Sequence, residues 1–168
     1  RPREAAAKMK FARTIRMDQS DENVFEDPAQ PGEWAVAGTF EFQADESDPA
    51  SWSNKRQLAF KSGWMGLGNF GRSTFVQVAV VPDAEVAEAE RALAAHLYDQ
   101  YGAPDMLAAM DAARRECADM AALCDHPAGT LLAIEREFTD AGISERVRMI
   151  PASGDGQHAR IWSVDDTE

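Results

Sequence analysis

Two consecutive apolar stripes at helical spacing constrain the fold of this chain more than any other feature. The first stripe covers 86–101 and the second covers 107–124, each with intervals of three and four residues. Such intervals place apolar side chains on one face of an α-helix. Gly102 and Pro104 separate the stripes, and these residue types are typical of a helix end and a helix start. The pattern predicts a helical hairpin that packs on another layer.

Runs of alternating side chains on both sides of this hairpin predict β-strands. Alternation puts successive side chains on opposite faces, so one face of each strand can be buried. A short helix over 54–61, capped by Ser53, falls between two of the strands. The predicted strands cover 10–17, 23–26, 34–42, 73–81, 130–139, 145–150 and 159–164. The order predicts an α+β fold, a mainly antiparallel sheet of five to seven strands with the hairpin and one extra helix packed on one face.

Length and composition indicate one domain. The chain has 168 residues, of which 45% are hydrophobic, and this content is too high for a disordered protein. Residues 1–8 lack periodicity and are interpreted as a flexible extension or a remnant of cloning, and 9–168 as a single α+β domain. We find no secretory signal and no run of about 20 apolar residues. Cys117 and Cys124 are too few for a disulfide scaffold, so a cytoplasmic location is expected.

The charge of the chain limits its expected partners. Asp and Glu number 29 and Lys and Arg 17, which gives a net charge of −12. Nucleic acids and anionic membranes attract basic surfaces, so neither is expected as a partner. Between residues 17 and 54 there are ten acids and no Lys or Arg, whereas several arginines fall on predicted strands. Two interpretations are open. In the first, the arginines form ion pairs with acids on a solvated face of the sheet. In the second, the acidic segment binds a basic partner and the arginines bind an anionic ligand.

A glycine-rich segment contains the spacing G-x-G-x-x-G at Gly66, Gly68 and Gly71. In a dinucleotide site such glycines follow a strand and open a helix, whose N-terminus faces the pyrophosphate. Here the predicted order is reversed, so the spacing favours a tight connection and no nucleotide cofactor. If Trp64 or Phe70 is exposed beside Arg72, the connection forms the rim of a pocket or an interface.

Cysteine and histidine residues near the end of the second stripe carry no metal-site signature. Cys117, Cys124 and His126 form C-x6-C-x-H, whereas structural zinc sites usually contain closer pairs. Both cysteines also belong to the apolar stripe, where a free cysteine packs as a small hydrophobic residue. No serine stands in G-x-S-x-G or in a recognisable relation to a histidine. We therefore predict no metal, no cofactor and no catalytic residues.

Six segments of the sequence are distinctive, at 10–16, 21–25, 31–36, 66–72, 101–105 and 123–130. Together they resemble a family of small proteobacterial proteins known only as a domain of unknown function. The resemblance covers nearly the whole chain after Lys8. It implies a bacterial, cytosolic, stand-alone protein and brings no activity, cofactor or catalytic residue.

Two hypotheses for function follow. The first is a non-catalytic accessory or protein-interaction module that binds a protein partner. This partner is either a basic protein or a second copy of the chain in a homodimer. The alternative is a small-ligand-binding domain or enzyme with a pocket between the sheet and the helices. The candidate ligand- or partner-binding residues are Trp64, Phe70, Arg72, Asp125 and His126.

Overall fold

The computed structural model describes residues 7–15 and 24–152. Seven strands and four α-helices, with one short 3-10 helix over Pro49–Ser51, make up this part of the chain. The strands are β1 (Lys8–Ile15), β2 (Trp34–Val36), β3 (Trp64–Gly66), β4 (Arg72–Ser73), β5 (Phe75–Pro82), β6 (Leu131–Thr139) and β7 (Gly142–Ile150). The helices are α1 (Phe40–Ala44), α2 (Asn54–Ser62), α3 (Asp83–Gln100) and α4 (Met106–Leu123).

All seven strands form one sheet in the order β4-β3-β2-β1-β5-β6-β7. Each pair of neighbouring strands is antiparallel. The central pair, β1 and β5, is aligned over eight residues, from Lys8 opposite Pro82 to Ile15 opposite Phe75. The predicted α+β class and antiparallel sheet are therefore confirmed, with the strand number at the upper end of the expected range.

The buried core joins the centre of the sheet to the helical hairpin. Ala12 lies opposite Val78 and Val76 lies opposite Leu132, and all four side chains are almost fully buried. Cross-strand partners point to the same face, so these residues form one apolar surface. The stripes of α3 and α4 belong to the same core, and α4 contacts β1 and β2 while α3 contacts β5. The predicted hairpin is thus present and packs on the sheet.

Capping side chains fix the starts of two predicted helices. The Ser53 hydroxyl accepts a hydrogen bond from the Arg56 amide at the start of α2. The Asp105 carboxylate accepts one from the Ala108 amide, so α4 begins at Met106 rather than at Pro104. Each bond satisfies an amide that has no partner inside its helix. Among the helices of the described residues, none is both long and apolar enough to cross a membrane.

The strand predicted over 34–42 is wrong in its second half. Strand β2 ends at Val36, Gly38 adopts a φ of +70°, and α1 begins at Phe40. In a strand Phe40 and Phe42 would share a face. The helical turn separates them, so Phe40 packs edge-on against Tyr101 and Phe42 joins a second aromatic cluster that includes Phe60.

Other differences concern short strands. The glycine-rich connection contains a small hairpin, in which β3 pairs with β4 and Met65 lies opposite Arg72. Residues 24–26 of the predicted strand 23–26 form turns and bends, while residue 23 lies outside the described residues. The predicted strand over 159–164 and the end of the first strand, residues 16 and 17, also lie outside them.

Candidate functional site

Two buried arginines hold together the chain segments around α1. Arg72 extends from β4 and Arg136 from β6, and both donate to the carbonyl oxygens of Ala37 and Gly63. The Arg136 side chain has no exposed surface and also donates to the Phe60 carbonyl at 2.8 Å. A guanidinium group has five N–H donors, so each arginine can join several carbonyls at once. These hydrogen bonds from the two arginines therefore hold the segment between β2 and α1 in place.

Part of the acidic segment is paired inside the protein. Glu41 accepts hydrogen bonds from Arg72 at 2.7 Å and from Arg56 at 2.8 Å, and Asp45 accepts from Arg56. Burial alone raises the pKa of Glu41, but the charges and hydrogen bonds of both arginines hold it below its usual value. The Phe42 ring also lies 4.7 Å from the Arg72 guanidinium. These acids stabilise α1 and are not free for a partner.

A concave surface follows α4 where the helix faces α1 and β7. It consists of two adjoining cavities of about 380 Å³ each, which share Phe40, Glu116 and Asp119. We call this surface the α4 groove. Its apolar lining is formed by Ala37, Phe40, Leu97, Ala112, Ala118, Met120, Leu123 and Ile143. Its polar lining is formed by Thr39, Gln43, Arg115, Glu116, Asp119 and Glu145.

Glu116 is the most deeply placed carboxylate of the α4 groove. Its Oε2 accepts a hydrogen bond from the Gly38 amide at 2.9 Å. Its Oε1 has no hydrogen-bond or ion-pair partner among the described residues. Burial raises the pKa of Glu116, and the charges of Glu145 and Asp119 add to this effect. Removing a charge from water without pairing it is unfavourable, so burial favours the neutral form of Glu116 unless a cation lies near it.

Glu145 and Asp119 flank Glu116 and differ in how their carboxylate oxygens are paired. Oε2 of Glu145 accepts from the Thr39 hydroxyl and, at 3.3 Å, from Arg136 Nε, which leaves Oε1 free within the described residues. Asp119 is exposed at the mouth of the α4 groove and has no ion pair with any of the described residues. No group of three or more His, Cys, Asp or Glu in the described residues is arranged to hold a metal ion.

Three of the residues predicted from sequence lie around the β3–β4 hairpin. Trp64 has no exposed surface, and its Nε1 donates to the Leu132 carbonyl at 3.1 Å. Phe70, with a φ of +61°, stacks on His96 with ring centroids 3.7 Å apart. Arg72 is buried among carbonyls, as described above. The structure brings these residues together in the interior and at the hairpin turn, outside the α4 groove.

Asp125 and His126, the other two predicted residues, follow the end of α4. Asp125 is exposed, and the backbone carbonyl of His126 accepts from Lys10 Nζ at 2.7 Å. No hydrogen bond, ion pair or ring contact in residues 7–15 and 24–152 joins either of them to the β3–β4 hairpin. The five residues thus do not form one cluster, and a role for any of them in binding stays a prediction.

A carboxylate of the chain itself occupies the glycine-rich turn. Glu33 Oε1 accepts hydrogen bonds from the amides of Gly68 at 2.7 Å and Asn69 at 3.1 Å. A Cβ atom on Gly66 would lie 2.4 Å from the same oxygen, so a larger residue there would displace this carboxylate. Successive amides of this kind form an anion-binding concavity, and here the anion is internal. The glycine spacing therefore serves the packing of this turn.

Cys117 and Cys124 are expected to be unreactive in the folded protein. Both are almost fully buried, and burial raises the pKa of each thiol to about 12. The thiolate is the reactive form, so little of it exists at pH 8. We expect an aromatic disulfide reagent to label fewer than one thiol on the timescale of minutes, and both thiols in 6 M guanidinium chloride. Rapid labelling of the native protein would show that α4 opens locally.

Sequence reasoning missed the residues of the α4 groove for identifiable reasons. Glu116 and Asp119 lie off the apolar stripe of α4, where charged residues are usually solvated. The predicted strand through Thr39 hid the helical turn that faces them. Nothing in the sequence indicated that Glu145, a residue of the last described strand, would reach the same place. The one usable signal was the spacing of Glu116 and Asp119, which puts both carboxylates on one helix face.

The antiparallel sheet, the helical hairpin and the α4 groove define an α+β protein with a concave, acid-edged surface. The chain belongs to DUF6505, a family of unknown function whose model matches residues 9–165. This match confirms the resemblance to a domain of unknown function over nearly the whole chain. Searches of curated proteins and of solved structures give no match.

Proposed function

We propose that this protein is a non-catalytic interaction module that holds a basic segment of a protein partner in the α4 groove. The observation that carries the proposal is Glu116, a partly buried carboxylate with one free oxygen and no ion pair in the described residues. A cation that entered the groove would pair this charge. Charge-assisted hydrogen bonds of this kind are stronger than those between neutral groups.

The distribution of charge supports a basic partner. Residues 83–123, which include α3 and α4, contain nine Asp or Glu and three Arg. Their net charge of −6 is half of the −12 carried by the whole chain. Arg115 is paired with Asp111 within α4, which reduces its effect on the groove. A surface of one sign steers an oppositely charged partner and speeds its association.

The apolar lining of the α4 groove supports a side chain of mixed character. Phe40 is shared by both cavities, and Met120 and Ile143 line one of them. The side chains of lysine and arginine bury an aliphatic stem while the charged end stays among polar groups. A basic residue can therefore satisfy both the apolar lining and the acidic edge. The two buried arginines support this function indirectly, since both donate to the Ala37 carbonyl, which belongs to the same peptide unit as the Gly38 amide that Glu116 binds.

Replacing Glu116 by glutamine is expected to weaken the binding of a basic peptide about ten-fold. The probe is a capped, fluorescently labelled heptapeptide with one lysine and one arginine among leucine and serine residues, measured by anisotropy. Glutamine keeps an acceptor for the Gly38 amide, and it replaces the other, charged oxygen by a neutral NH2 group. Saturable binding at 50 mM salt that weakens at 300 mM salt is also expected.

The matched control for this experiment is Glu88→Gln. Glu88 is an exposed residue of α3 that does not line the α4 groove, and its replacement changes the net charge by the same amount. We expect the affinity of this variant to stay within about two-fold of the original. An equal loss of peptide affinity in both variants would show that the net charge of the protein, and not the α4 groove, determines the binding. Absence of saturable binding in the unmodified protein would overturn the proposed function.

A further inference from the structure

Strand β7 has a long open edge in the described part of the chain. It forms one end of the sheet and is nine residues long, whereas β4 at the other end has two residues. No other strand of the described residues pairs with its outer side. Along such an edge, every second residue points its backbone amide and carbonyl away from the sheet, where they can bind a further strand. Long edges are usually covered, because an open edge pairs readily with another chain.

The side chains of β7 define what can cover this edge. On one face Val147 packs against the core and Met149 is 52% exposed. On the other face Arg146 and Arg148 share one carboxylate, that of Glu135, at 2.6 and 3.8 Å. The edge is therefore apolar on one face and positively charged on the other. A complementary strand carries apolar side chains on the first face and an acid on the second.

We propose that residues 159–165 of this chain cover the edge as an eighth strand, antiparallel to β7. These residues lie outside the described part of the chain, and the alternation over 159–164 predicts a strand. The family model matches the chain as far as residue 165, so it includes this segment. Between β7 and the segment lie Asp155 and Gly156, a pair of residues typical of the two-residue turn of a β-hairpin.

This turn sets which residues of the two strands oppose each other. Counting outward from Asp155 and Gly156, apolar residues oppose apolar residues and the one acid opposes an arginine. The next step would place Asp166 opposite Glu145, and these like charges end the pairing. The opposing residues are Ile150 and Ile161, Met149 and Trp162, Arg148 and Ser163, Val147 and Val164, and Arg146 and Asp165.

A second copy of the chain is a poorer partner for this edge. Antiparallel pairing of two β7 strands about their central residue would place Arg146 opposite its own copy. A shift of the centre by one residue pairs either Glu145 with its own copy or Arg146 with Arg148. Like charges that oppose each other directly destabilise a sheet. The segment 159–165 avoids these pairs, and its short connection to β7 keeps the entropic cost of pairing low.

Hydrogen exchange of the full chain, followed by NMR of nitrogen-15-labelled protein, tests the proposal. On an open edge, every second amide is bonded to the neighbouring strand and exchanges slowly, while the outward amides exchange with water. We expect slow exchange of both sets over residues 146–150. A nuclear Overhauser contact between the Met149 methyl group and the Trp162 ring is also expected, and it identifies the register.

Asp165→Lys is expected to speed the exchange of the outward amides about five-fold, because it places a second cation opposite Arg146. The matched control is Asp166→Lys, which changes the net charge by the same amount and places a cation near Glu145. We expect the outward amides of this control to exchange no faster than those of the original protein. Equal acceleration in both variants would trace the effect to net charge and overturn the pairing of Asp165 with Arg146.

Three results would overturn the proposal. Slow exchange of alternate amides alone would show that the edge of β7 is open. Slow exchange of both sets that increases with protein concentration would place a second copy on the edge. Slow exchange without the contact between Met149 and Trp162 would place something other than the proposed pairing there. Residues 146–150 do not line the α4 groove, so each of these results leaves the proposed function intact.

Discussion

Replacing Arg136 by methionine is expected to reduce the free energy of unfolding by about 3 kcal/mol, because several buried carbonyl oxygens lose a donor and an unsatisfied buried acceptor costs about 1–3 kcal/mol. The Arg136 side chain has no exposed surface, and its Nη2 donates to the Ala37 carbonyl at 2.6 Å. Its other donors reach the Phe60 and Gly63 carbonyls at 2.8 and 3.0 Å. Methionine fills a similar volume but leaves these carbonyls with fewer donors.

Urea unfolding followed by far-ultraviolet circular dichroism measures this effect. The matched control is Arg146→Met on β7, where the arginine is paired with Glu135 at 2.6 Å but its side chain is 80% exposed. Exposed ion pairs contribute little, so a change below about 1 kcal/mol is expected for the control. Similar losses in both variants would contradict a special role for Arg136. Since many domains of this kind are stable by only about 5–15 kcal/mol, Arg136→Met is expected to leave a marginal fold.

The same arginine shows why the fold was easier to predict than the groove. Helices α2, α3 and α4 and the long strands follow from the period of their apolar residues, which is a local property of the sequence. Arg136 also lies on a predicted strand, but the alternation of side chains along this strand indicated only that Arg136 lies on a face of the sheet. Its burial depends on Phe60 of α2 and on the segment around Ala37. These lie 76 and 99 residues away in the sequence and are brought close only by folding.

Helix α1 shows the opposite case, in which a clear local pattern was misleading. The alternation of aromatic residues from Trp34 to Phe42 is typical of a strand. Gly38, however, contacts the side chains of Met65 and Arg72 so closely that a Cβ atom would lie 2.5 Å from Met65 Cβ. This close approach and the positive φ of Gly38 end the strand and allow α1 to form. Since α1 lines the α4 groove, the error in the strand also concealed the candidate site.

Replacing Trp64 by alanine is expected to lower the free energy of unfolding by about 3–5 kcal/mol, because it opens a cavity in the core. Trp64 was a candidate for the rim of a pocket, but its side chain has no exposed surface and its Nε1 is bonded to the Leu132 carbonyl. A residue at a rim would lose little stability on truncation. The size of the loss therefore distinguishes a core residue from a binding residue.

Leu107→Ala is the control, since Leu107 is 84% exposed and its truncation is expected to change stability by no more than about 0.5 kcal/mol. Trp64→Phe keeps much of the apolar surface and removes the hydrogen bond, so an intermediate loss is expected. All three variants are compared by urea unfolding, with circular dichroism as the signal because one tryptophan is removed. If Trp64→Ala unfolds at the same urea concentration as the original protein, the side chain is not part of the core, and the candidate role of Trp64 at a binding surface regains its basis.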